Sequence, residues 1–264
     1  MVNSPSSSIL SSAPAETVWD RVLTHAPTAE RDDALLARER RSPRWRRMTD
    51  RLARAFGRIE GLRTIELGSG RGDWSALLAE HGASVTLLDA SDAGLDQARA
   101  RFQRLGLTAE FLRGDMFAME EFAGKFDVAL SSGVIEHFQG VDRLRSVKAH
   151  VAALHSGGLA VISVPHAACL PYRAWKWYLQ RRGWWPYGVE LPYGRRELRR
   201  LAVQSGLQDL SSDCVGFWQS VGDHWLRNVF HRPVDWVDTR SVLDGIMGMS
   251  LIVMGRCGLP HPPR

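Results

Sequence analysis

At 264 residues the chain has room for one α/β domain with an elaboration, or for two small domains. Its 44% hydrophobic and 24% charged residues are ordinary globular values, and they exclude a disordered or fibrous class. No apolar run approaches the roughly 18 residues of a membrane-spanning helix. No basic segment with an apolar core opens the chain, so a secretory signal is not expected despite the small residues Ala13-Pro14-Ala15. Cys169, Cys214 and Cys257 lie far apart with no metal or disulfide spacing, which points to a reducing, cytoplasmic setting. A net charge of +5 and a pI near 9.5 leave room for nucleic acid, an anionic small molecule or a membrane surface as partner. A solubilising surface is the simpler account.

Residues 1–14 are rich in Ser, Pro and Ala and read as a disordered lead. A segment of N-terminal helices over 15–60 comes next. Its first pattern runs near 16–41, with Val18, Trp19, Val22 and Leu23 as the apolar face. Its second covers 44–59. There Trp45, Met48, Leu52, Phe56 and Ile59 share one stripe, while Arg47, Arg51, Arg54 and Arg58 share the opposite face. This reads as a lid helix with a solvated basic side, or with a side for an anionic substrate or lipid headgroups.

The stretch from Thr64 to Asp73 organises the domain of residues 61–264. Thr64 to Leu67 reads as a buried strand, then come three alternating glycines, and Trp74, Leu77 and Leu78 open a helix. Strand, glycine turn and helix form the front edge of a nucleotide-binding unit. The spacing is G-x-G-x-G, with Asp73 where a dinucleotide fingerprint carries its third glycine. Glu66 and Asp73 would repel a pyrophosphate. On charge, S-adenosylmethionine (SAM), a cationic nucleoside without phosphates, suits the turn better than NAD, which stays as the alternative.

Strand and helix then alternate. Ser84 to Leu88 reads as a strand ending at Asp89, and a helix with Leu95, Ala98, Phe102 and Leu105 closes at Gly106. Ala109 to Arg113 and Phe126 to Leu130 are further strands. A helix bearing Val141, Leu144, Val147, Val151 and Leu154 precedes a fifth strand, Leu159 to Val164, stopped by Pro165. This alternation gives a parallel sheet with right-handed crossovers. An aromatic insert over 167–193 carries Trp175, Trp177, Tyr178, Trp184, Trp185, Tyr187 and Tyr193. It reads as a packed cap, as the wall of a pocket for a ring-bearing substrate, or, beside Lys176, Arg181 and Arg182, as a membrane-surface contact. Arg195 to Gln204 is helical, Leu207 to Phe217 and Met249 to Met254 are strands, and 219–247 is left unassigned.

Glu66, Gly68, Gly70 and Gly72 resemble motif I, E-x-G-x-G-x-G, of the class I SAM-dependent methyltransferases. Gly133-Val134-Ile135-Glu136-His137-Phe138 resembles that family's loop after its fourth strand. The resemblance covers residues 60–210. It implies an α/β fold with a seven-stranded, mostly parallel, doubly wound sheet under a small helical and aromatic cap. It also implies SAM as cofactor and S-adenosylhomocysteine as product. The residues it assigns to SAM are Glu66, Gly68, Ser69, Gly70, Gly72, Asp89, Ala90, Asp115, Met116, Ser131, Ser132 and Gly133. Asp89 lies roughly 20 residues beyond Gly68, where an acid meets a ribose in either nucleotide class. The resemblance gives Asp115 the adenine amino group and Met116 the face of the ring.

His137 is the candidate general base, since a histidine near pKa 6.5 accepts a proton at pH 7. A structural role, bonded to nearby backbone, is the competing reading. His166, after Pro165, could face the substrate, where the family commonly shows asparagine. The ubiquinone-pathway O-methyltransferases, which the loop also resembles, use a glutamate three residues before the Glu-His pair to help bind a metal. Gly133 stands there, so no metal is expected. Tyr187 to Tyr193, with Gly188 and Glu190, is similar to a substrate cover in small-molecule branches of the superfamily. The expected function is methyl transfer to a small-molecule acceptor, chiefly a hydroxyl of an apolar or ring-bearing metabolite or lipid. An RNA methyltransferase and a non-catalytic SAM-binding regulator are the alternatives. With no separate RNA-binding module visible, nucleic acid is not an expected partner.

Overall fold

The computed structural model describes residues 15–231 and 234–258. The lead expected at 1–14 lies outside them.

The β-branched and apolar runs of the sequence form five parallel strands: β1 (Arg63–Leu67), β2 (Ser84–Asp89), β3 (Glu110–Arg113), β4 (Phe126–Ser132) and β5 (Leu154–Pro165). Two more, β6 (Leu207–Val215) and β7 (Ser250–Cys257), complete a seven-stranded sheet in the order β3-β2-β1-β4-β5-β7-β6. Only β7 runs antiparallel to its neighbours. The sheet is doubly wound and mostly parallel, as expected. Its order reverses between β1 and β4, and a crevice opens beyond the carboxyl ends of strands at such a point.

Successive side chains alternate between faces. Ile65, Leu67, Ala129, Ala160 and Ile162 join one core, with α6 (Asp142–Ala153) and α8 (Arg195–Gln204) packed over it. Val85, Leu87, Val128, Leu130 and Val161 join the other. That second face is covered by α2 (Ala29–Arg41), α3 (Pro43–Phe56), α4 (Asp73–Glu80) and α5 (Asp92–Leu105). The aromatic insert contributes α7 (Leu170–Arg181).

Three expectations change here. The pattern near 16–41 is two helices, α1 (Ala15–Leu23) and α2, parted around Pro27, with the Thr28 side chain capping α2 by accepting from the Arg31 amide. The helix expected as a lid, α3, is a core layer: Trp45, Met48 and Leu52 are buried against the sheet. The cover over the crevice comes from α1, through Trp19 and Leu23. Third, two of the four arginines expected on one free face of α3 meet acids, Arg51 closely and Arg47 at 3.9 Å from Asp213, and so do Arg38 and Arg46 beside them. Arg38 meets Asp223 and Asp235, Arg46 meets Asp238, and Arg51 meets Asp209. These charges tie the N-terminal helices to the late segment instead of standing as one free basic face.

Candidate active site

Sterics explain the glycines after β1. Gly68, Gly70 and Gly72 all have positive φ, at 66°, 50° and 66°. A Cβ on Gly68 would lie 2.7 Å from Val134 Cγ1, and one on Gly72 would lie 2.4 Å from Leu87 Cδ2. A Cβ on Gly70 would meet nothing within 4 Å, because that residue fronts an open cavity of about 1000 Å³. Two carboxylates hold the turn. Glu66 accepts from the amide and hydroxyl of Ser75 at 3.0 and 2.6 Å, fixing the first turn of α4. Asp89, at the end of β2, accepts from the Gly70 amide at 2.6 Å and the Ser91 amide at 2.8 Å. Each of its oxygens keeps a second lone pair for a ligand.

The far wall of the cavity is a flat apolar slot of Leu88, Met116, Phe117 and Phe138, the last two rings edge to face at 4.9 Å. Asp115 borders the slot, and its Oδ1 receives the Phe117 amide at 2.9 Å. The buried Ser69 hydroxyl has no hydrogen-bond partner among the described residues. An acid at a strand end, an apolar slot with an acid at its rim, and an orphaned hydroxyl fit the ribose and base of a nucleoside. Eleven of the fourteen sequence-assigned site residues line this cavity: Glu66, Gly68, Ser69, Gly70, Asp89, Ala90, Asp115, Met116, Ser132, Gly133 and His137.

The family described as a methyltransferase domain matches residues 36–212. The chain belongs to this family. It is a class I SAM-dependent methyltransferase, and SAM is its cofactor. Similar proteins include a ubiquinone biosynthesis O-methyltransferase of Sinorhizobium medicae, 29% identical over 190 residues that cover 67% of this chain and 74% of that one. Another, of Ruegeria sp., is 34% identical over 114 residues, 43% of this chain and 45% of its own. Among solved structures, the fold is similar to a possible histamine N-methyltransferase of Thermotoga maritima. The TM-score is 0.59 at 15% identity, covering 92% of this chain and 99% of the other. It is also similar to a magnesium protoporphyrin IX methyltransferase of Synechocystis, with TM-score 0.57, 15% identity and coverage of 91% and 92%.

In this methyltransferase the glycine turn is less acidic than its sequence suggests. Burial pushes the Glu66 carboxyl up to about 8, so it is mostly uncharged at neutral pH. Asp73 is met by the guanidinium of Arg101 and stands 4.0 Å from that of Arg71. The turn is therefore not an acidic repeller of phosphate. Arg101 also donates to the Arg71 carbonyl at 3.0 Å. Arg44 grips Glu39 and reaches Ser132 Oγ at 3.2 Å. Sequence reading missed Arg44 and Arg101, because each arrives from an element far along the chain.

Three assigned residues stand off the cavity. Gly72 packs below the turn against Leu87 and Phe102. Ser131 is fully buried and shares a 2.9 Å hydrogen bond with His150, whose other nitrogen bonds the Ser146 carbonyl, so it braces β4 from within. His166 does not face a substrate. It is buried, with Nε2 3.9 Å from Cys214 Sγ, and its neighbour Pro165 pairs with β7. β5 ends at Pro165, and His166 makes an isolated parallel bridge with Tyr193 while its ring turns inward.

A second cavity, of about 440 Å³, adjoins the first at Arg44, Ser132 and Gly133. The aromatic insert divides over it. Tyr172, Trp175, Trp185 and Tyr187 line it, Trp184 lines it while 60% exposed, and Trp177 faces solvent. His137 lies in the wall of the first cavity. Its Nδ1 is 2.6 Å from the Val189 carbonyl, so Nδ1 carries the proton and Nε2 keeps the lone pair. Burial lowers its pKa below 6.5, against the Val189 bond, and nearby Lys176 adds to the lowering.

His137 sits among carboxyls. Glu136, His137 and Glu190 each bring a ligand atom within 4.8 Å of the others. Glu190 reaches this cluster from the segment after the aromatic helix. The Lys176 ammonium is there too, donating to Glu190 Oε1 at 3.1 Å, and the Tyr172 hydroxyl donates to the same oxygen. Glu136 is fully buried, its Oε2 has no partner among the described residues, and burial raises it to about 8. A carboxyl raised from 4.5 to about 8 holds its proton in the folded chain where the unfolded chain has lost it. Its contribution therefore weakens stability as pH climbs from about 4.5 to 8. Glu136→Gln should flatten that decline and raise the melting temperature at pH 8 relative to the parent. An unchanged pH–stability curve would show that Glu136 is ionised and solvated after all.

Proposed function

We propose that this methyltransferase moves the methyl group of SAM to a hydroxyl oxygen of a ring-bearing small molecule. The observation that carries the reading is the junction of a nucleoside-shaped cavity with an aromatic one at Arg44, Ser132 and Gly133. The names of the relatives, ubiquinone biosynthesis O-methyltransferases, favour oxygen over nitrogen or carbon. When bound, SAM supplies a methyl already activated by its sulfonium. What is left to the chain is alignment and the exclusion of water. Asp89 and the glycine turn hold the ribose side, and Asp115, Met116 and Phe117 hold the base. Trp185 and Tyr187 line the acceptor cavity, where aromatic rings suit an acceptor ring. His137 Nε2 is the proton acceptor for the hydroxyl.

The test has two stages. SAM and S-adenosylhomocysteine should raise the melting temperature while NAD leaves it unchanged. Labelled SAM should then mark phenolic acceptors in a screen that also holds lipid and sugar alcohols. Label appearing only on amines or on RNA would overturn the reading. Asp89→Ala should weaken SAM binding by about 1–3 kcal/mol, the loss typical of a charged hydrogen-bond partner. Calorimetry showing parental affinity in that variant would remove Asp89 from the ribose site.

A further inference from the structure

The segment between β6 and β7 carries no readable pattern in the sequence, yet it supplies one wall of the aromatic cavity. Val221–Leu226 winds as a single π-helical turn. Such turns are rare and are found frequently at functional sites. This one is pinned on three sides. Arg38 holds Asp223 with two bonds of 2.8 Å, Trp225 Nε1 donates to the Pro171 carbonyl at 3.0 Å, and Gly222 lies so close to Val234 that a Cβ would stand 3.1 Å from its Cγ2.

The residue this turn presents to the cavity is His224. Its ring stacks on Trp175, 6° from parallel at 6.1 Å, and sits 5.7 Å from the Tyr172 ring. Its Nε2 is buried and has no hydrogen-bond partner among the described residues. Burial holds its pKa down at about 4, against the pull of Asp223, so the ring is neutral at physiological pH. A neutral imidazole has one donor and one acceptor to satisfy, and a buried polar nitrogen left alone is costly. Buried polar atoms without a partner are rare enough to call for an explanation, and here the ring that carries one lines a cavity the size of a small ligand.

We propose that His224 reads the acceptor, hydrogen-bonding through its ring to a second, uncharged polar group of the bound molecule, away from the hydroxyl that is methylated. The site then selects ring compounds with a polar substituent at the far end over those with a methyl group there. The π-turn fixes the imidazole so that little side-chain freedom is lost on binding. The inference rests on the aromatic cavity being the acceptor site.

The experiment compares hydroquinone with p-cresol, which differ by one hydroxyl, on protein saturated with S-adenosylhomocysteine, by ligand-observed NMR. The parent should bind hydroquinone about tenfold more tightly. In His224→Phe that preference should vanish, while S-adenosylhomocysteine affinity stays at the parental value and the melting temperature does not fall. His224→Gln, which keeps a donor and an acceptor, should retain the preference. It also covers the case in which the phenylalanine variant folds poorly. Equal binding of the two phenols by the parent, binding of neither, or an intact preference in His224→Phe would each overturn the proposal. An intact preference in the parent together with no methyl transfer to any hydroxyl would sink O-methylation and leave the role of His224 standing.

Discussion

Arg101→Met should destabilise the protein by about 3–5 kcal/mol, as expected when one partner is removed from a buried ion network. Arg101 is 1% exposed. Its guanidinium binds both oxygens of Asp32, with Nε at 2.8 Å, and also Asp73 and the Arg71 carbonyl. Methionine fills a similar volume, so the effect isolates the charge and the hydrogen bonds. What remains is an Asp32 carboxylate 5% exposed with Arg104 as its other partner, and an Asp73 beside the glycine turn with Arg71 4.0 Å away. Burial alone would raise Asp32, but the Arg101 and Arg104 bonds pull it down to about 2. The stability this carries is complete above the unfolded value near 3.8 and is lost as pH falls toward 2. Urea titrations should show the full deficit at pH 7 and a smaller one as pH falls from 3.8 toward 2, where the parent loses the Asp32 contribution that the variant largely lacks. Lysine should not rescue it, because one ammonium cannot span three acceptors in a plane. SAM affinity should fall as well, since the turn loses its clamp. A variant within about 1 kcal/mol of the parent would mean the network only breaks even against desolvation.

That network marks where the sequence stops being legible. Strands β1 to β5 could be read because each is a short apolar run bounded by glycine or a polar end, and the parallel order comes from alternation with helices. Most residues lining the first cavity were equally plain, because a glycine turn and strand-end acids are local features. Arg101 was not. It sits in α5 among charged residues with nothing to mark it as buried, and its partners come from α2 and the turn before α4. His166 misled for a related reason. Its place after a strand suggested the crevice, and Ser163 to Pro165 do line the second cavity, but the His166 ring is buried toward Cys214 and lines neither cavity. The segment holding His224 has no period at all, since a π-turn fits neither the 3.6-residue nor the two-residue repeat.

His137→Ala should lower methyl transfer by roughly 10²–10⁴-fold if the ring takes the acceptor's proton. Alanine also removes the tie to the Val189 carbonyl, which holds the loop after β4 to the cover segment. The alanine variant therefore cannot separate chemistry from support, but asparagine can. The amide of His137→Asn can still donate toward Val189, keeping the cover in place, while offering no basic nitrogen to the acceptor. If His137 is the base, His137→Asn should keep parental KM and SAM affinity and still lose kcat. Only the neutral ring accepts a proton, so the parental rate should rise with pH through a value below 6.5 and level off above it, in the direction burial shifts this group. Both variants should lack that limb. Should His137→Asn recover most of the parental kcat, the histidine is a strut. Proton acceptance would then pass to the neighbouring Glu190, whose carboxyl burial raises to about 7 and which lies within 4.8 Å of the same ring.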